Sequence, residues 1–108
     1  MAKESYQNEQ NSMVKTQKIS LEKGAVFGVL IPMATAPIIL VKAKKGYVMC
    51  GYLNMATANK LGDVAGKVTG VKSFDDVLNA NVVEVSEPAK NIGLTEGMNV
   101  RVFLNKLM

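Results

Sequence analysis

The chain contains no histidine and no tryptophan, one cysteine and one arginine. Each shortage removes a class of function. Without histidine there is no ordinary general base near neutral pH, no common metal ligand and no Ser-His or Cys-His couple. With Cys50 as the single cysteine, one chain cannot assemble a zinc site from Cys and His, or an intrachain disulfide framework. A lone cysteine suits a reducing compartment, and the N-terminus lacks the charged-then-apolar pattern of an export leader. Cytoplasm is the expected location. Hard-cation sites built from carboxylates have no motif here, so neither metal nor cofactor is expected.

Positive charge is present, but in the form of lysine. The net charge is +4, and Arg101 is the only guanidinium. Lysine acts as a point charge, whereas arginine grips phosphates and guanine edges with two donors. Aromatic residues make up 6% of the chain, so stacking platforms for bases are scarce. Sequence-specific nucleic-acid binding is not expected. Lysines 42, 44, 45, 60, 67 and 72 face only Asp63 across residues 42–72, which leaves non-specific polyanion contact as an alternative to a solvated surface.

At 108 residues with 48% hydrophobic content, the chain suits one domain with a real core. Residues 1–13 are polar and predict a flexible tail; residues 14–108 predict the domain. Val14 to Lys23 shows the period-2 pattern of a half-exposed strand. Gly24 to Val41 then runs eighteen residues without a charge. Pro32 and Pro37 exclude a membrane helix there, and the β-branched content predicts two strands around a bend.

Those strands are apolar at odd and even positions alike. A strand with one wet face alternates; one covered on both faces does not. Few helices are available as cover, so the β region of about residues 14–45 is expected to be an oligomer interface. A sheet sealed by the chain's own helices is the alternative.

Lys42 to Gly46 predicts a turn into a strand at Tyr47–Cys50. Asn54 suits the cap of a helix from Met55 to Leu61, with Gly62 in the left-handed position after it. Val64 to Gly70 predicts a short strand. Ser73 to Asp76 has the form of a capping box ahead of a helix holding Val77 and Leu78. Asn81 to Val85 predicts the last strand, and Ser86 caps a short helix that tolerates Pro88 and ends at Gly93. Val100, Phe103, Leu104 and Leu107 share one helical face and predict a final helix. The fold class is α+β: an N-terminal, mostly antiparallel sheet followed by alternating short helices and strands.

Met49 to Leu53, Lys60 to Asp63, Gly70 to Ala80 and Glu96-Gly97-Met98 together resemble the YunC-like family, the domain of unknown function 1805. The resemblance covers about residues 14–108. It implies a small α+β domain that assembles through its N-terminal β region, with a tetramer favoured, and it brings no activity with it. One segment departs from the family pattern. The family continues Glu-Gly-Met into a polar helix bearing alanine and glutamate, whereas Val100-Arg101-Val102-Phe103 is more β-prone.

Three functions stay open. The first is a homo-oligomeric cytoplasmic domain that binds a small ligand or a protein partner, with Gly51, Tyr52, Asn54, Lys72 and Asp75 as candidate ligand contacts. The second is an enzyme with Cys50 as nucleophile at a subunit seam, assisted by Lys72, Asp63 or Asp75. Cys50 ends a strand shortly before a helix, where the dipole favours a thiolate, but it equally reads as a small, inert core residue. The third is the lysine-driven polyanion binder.

Other motifs are weak. Gly70-Val71-Lys72-Ser73 puts amides and a lysine ahead of a helix, which suits an anionic group, yet it also reads as a turn whose aspartates satisfy the helix end, and Asp75 and Asp76 would repel the anion. Asp75 and Asp76, adjacent on a helix, point about 100° apart and make a poor carboxylate pair. Gly24–Gly28 lacks the spacing of a phosphate loop. Arg101 is expected to pair with a neighbouring acid.

Overall fold

The computed structural model describes residues 14–108; the tail expected over residues 1–13 lies outside them. Strands β1 (Lys15–Leu21), β2 (Gly24–Ile31), β3 (Ile38–Lys42), β4 (Tyr47–Met49), β5 (Ala65–Lys67) and β6 (Glu84–Val85) form one sheet in that order. All neighbours are antiparallel except β4 and β5, which are parallel. Helix α1 (Met55–Leu61) makes the crossover that a parallel pair requires. Helix α2 (Phe74–Asn79) joins β5 to β6, and α3 (Glu87–Asn91) and α4 (Val100–Asn105) follow. The fold is α+β.

Local chemistry sets the helix ends. Asn54 accepts from the N–H groups of Ala56 and Thr57 and starts α1, and Gly62 ends it at φ +80°, a backbone region that costs glycine little. Ser73 accepts from Asp76 N at 3.1 Å, but the Asp76 carboxylate reaches past the cap to accept from Lys72 N at 3.0 Å. The expected capping box is thus displaced by one residue. Ser86 caps α3 by accepting from Ala89 N. Val100, Phe103, Leu104 and Leu107 are all fully buried, so burial of one face overrides the β preference of Val100 and Val102. Val102 faces outward. Arg101 does not find an acid among the described residues; its guanidinium lies 3.5 Å from Asn79 Oδ1.

The two faces of the sheet differ. Val26, Leu30, Ile39, Val41 and Val48 point to a core closed by α2, α3 and α4. On the other face α1 places Met55 and Ala58 over Met49 and Ala65. Beyond α1 that second face stays open. Phe27 is 55% exposed and Ile31 36%. Cross-strand pairing places Phe27 between Lys18 and Lys42, and Val29 between Thr16 and Leu40. Hydrocarbon therefore lies on both faces of β2, and the described chain covers one of them. Among the described residues no helix is long and apolar enough to cross a membrane.

Candidate functional site

A hollow of about 330 Å³ opens where β4 and β5 end. Three segments far apart in sequence meet there: residues 35–37 of the β2–β3 bend, residues 50–52 after β4 and residues 69–72 after β5. The parallel pairing of β4 with β5 explains the meeting. Parallel neighbours send their C-terminal ends to the same edge, and the loops leaving that edge share one space. Pro37 holds the bend that closes the third side.

Of the residues expected to contact a ligand, Gly51, Tyr52 and Lys72 line this hollow together with Cys50. Asn54 lines a separate hollow beside Tyr47, Met49 and Thr57, and its side-chain oxygen is occupied by the start of α1. Asp75 faces another depression, with Gln17, Ile19 and Phe74. Sequence reasoning passed over Thr35 and Thr69, and met Val71 only within the Gly70-Val71-Lys72-Ser73 turn. The threonines carry no local signal; only the pairing of strands brings them together.

Cys50 has a defined position at the wall. It is 4% exposed. Its N–H donates to Ile39 O at 3.1 Å, and its Sγ accepts from Ile39 N at 3.3 Å. The thiol thus stands in for a carbonyl where the β3–β4 ladder ends. With its sulfur turned to the backbone and no histidine in the chain, it holds the wall together.

Lys72 is the only charged residue of the lining. No carboxylate pairs with its ammonium among the described residues. Tyr52 is half exposed, and the rest of the wall is methyl, methylene and ring surface from Ala36, Pro37 and Val71. Gly51 and Thr69 are neighbours in the lining: a Cβ at Gly51 would stand 3.9 Å from Thr69 Cγ2, at ordinary contact distance. No group of three or more metal-ligating side chains occurs among the described residues.

A wider groove, about 640 Å³, runs between the β1–β2 turn and α4. Glu22, Lys23, Arg101 and Lys106 are among its lining residues. Volume alone is a poor guide here. The smaller hollow has fixed backbone walls and an apolar floor, which is the usual make-up of a ligand site.

The comparisons with known proteins match this architecture. Residues 49–107 match the family "Domain of unknown function (DUF1805)". The chain is 32% identical over 100 residues to the uncharacterized protein YunC of Bacillus subtilis (strain 168), covering 89% of this chain and 99% of that one. It is similar to the crystal structure of a protein of unknown function, TA1206, from Thermoplasma acidophilum. That likeness has a TM-score of 0.84 and 41% identity, and covers 89% of this chain and 94% of the other. The matched span begins at Met49, the last residue of β4, and runs through the crossover helix to Leu107, and with it come two of the three walls of the hollow. The chain belongs to the DUF1805 family.

Proposed function

We propose that this protein is a homo-oligomeric, small-molecule-binding domain of the cytoplasm, with the ligand seated in the hollow at the ends of β4 and β5. The observation that carries the reading is the convergence of three sequence-distant segments on one concave, mostly apolar space with a few polar groups at its rim. A binding screen by ligand-observed NMR, repeated on Gly51→Leu, tests it. Gly51 lines the hollow, and a Cβ there would meet only the Thr69 methyl, at 3.9 Å, so leucine adds bulk to the lining without a backbone clash. Ligands should bind the natural chain and lose binding in the variant. Equal binding to both places the site elsewhere.

The oligomer rests on the open face of β1–β3. Phe27, Val29 and Ile31 leave hydrocarbon on that face, and a second copy of the chain is the partner we assign to it. The family resemblance favours a tetramer. Light scattering should give a multiple of 11.6 kDa, and Phe27→Lys should reduce it to 11.6 kDa with the fold intact. A natural chain that is monomeric removes the assembly. Catalysis by Cys50 is the weaker reading, because the thiol is buried and bonded to the backbone.

A further inference from the structure

Building on that reading of the hollow, we propose that its ligand is a small organic anion: one carboxylate-like group on a compact apolar body. The charge inventory carries the first half. Lys72 is the sole charged group of the lining, and no acid lines the hollow. The two nearest acids in sequence are not among the lining residues. Asp76 is held by Lys72 N at 3.0 Å and Asp75 faces the depression beside Gln17. Among the described residues nothing accepts from the backbone N–H of Gly51, Gly70 or Val71. Lys72 supplies donors and no acceptor, and the Tyr52 and Thr69 hydroxyls and these amides can donate as well, so the lining suits an acceptor with negative charge.

The apolar floor carries the second half. Ala36, Pro37, Val71 and the side of the Tyr52 ring surround a volume of about 330 Å³, small for a pocket and too large for a bare inorganic ion to fill. An ion bound at the rim alone would leave that surface wet. A planar or branched hydrocarbon body displaces the water and gains the burial.

Amide NMR titrations with three probes test the class: benzoate, benzamide and inorganic phosphate. Benzoate should shift the amides of Gly51, Thr69, Gly70 and Val71, and Lys72→Met should weaken it about tenfold with the remaining spectrum unchanged. Benzamide, the same body without charge, and phosphate, the charge without a body, should each bind at least tenfold more weakly. Benzamide equal to benzoate, or benzoate indifferent to Lys72→Met, overturns the anion while the hollow remains a binding site. Phosphate as tight as benzoate overturns the apolar body. If none of the probes moves these amides, but other neutral molecules do, the ligand class falls alone. If nothing moves them, the binding site falls with it.

Discussion

The ring of Phe74, the first residue of α2, lies against Gly28 in the middle of β2: a Cβ at Gly28 would stand 2.5 Å from Phe74 Cε1. Glycine here makes room for an aromatic ring flush with the sheet. Gly28→Ala should destabilise the protein by about 1–3 kcal/mol, the range for overpacking a tight core. The double variant Gly28→Ala with Phe74→Leu should lose less than the two single losses added together. Urea unfolding of the four proteins measures the coupling. Additive losses would show that the ring and the glycine do not share space.

Ser86 does more than cap α3. Fully buried, its hydroxyl donates to Asp63 O at 2.7 Å and accepts from Ala65 N at 2.9 Å, tying the start of β5 to the start of the helix. Ser86→Ala strands a buried donor, Ala65 N–H, and a partly buried acceptor, Asp63 O, together. The expected loss is about 3 kcal/mol, against about 1 for a cap at the surface. A loss near 1 kcal/mol in urea unfolding would reduce Ser86 to a cap.

Tyr47 links stability to alkaline pH. Its phenol is pushed up to about 12, first by burial, then by the hydrogen bond to Asp63 Oδ2 at 2.7 Å and by the charge of that carboxylate. The folded state therefore favours the neutral ring. Its contribution is complete below about pH 10, the unfolded value, and is lost as pH rises through about 12. Solvent screening of a partly exposed ring limits it to about 1 kcal/mol. Denaturation curves from pH 9 to about 12 should steepen their decline in the natural chain and flatten in Tyr47→Phe. Asp63→Asn should lower the tyrosinate titration without abolishing the shift, because burial remains.

Cys50 should be slow to react. With 4% exposure and its sulfur engaged by Ile39 N, iodoacetamide should modify it about a hundredfold more slowly in the folded than in the urea-unfolded chain. Cys50→Ala, which leaves Ile39 N–H without its acceptor, should cost about 1–2 kcal/mol, and Cys50→Ser should cost less. A folded-state thiol faster than free cysteine would reverse the reading and restore the nucleophile.

Much of this protein is decided locally and can be read along the chain. Asn54 with Gly62, Ser86 with Gly93, and the buried row Val100, Phe103, Leu104 and Leu107 act within a few residues, through caps, left-handed glycines and helical period. The prolines at 32 and 37 and the β-branched run between Gly24 and Val41 determine strands and a bend in the same way. The absence of histidine excludes its chemistries whatever the fold.

What the tertiary structure decided lies between residues distant in sequence. The parallel pairing of β4 with β5 brings Gly51 and Tyr52 beside Thr69 and Lys72 and leaves Asn54 and Asp75 out. No local preference encodes that, since both loops would be equally content apart. The same holds for Gly28, where an unremarkable strand glycine turns out to be the seat of a ring 46 positions away. Propensities act over a few residues; packing and strand register decide which of those stretches become neighbours.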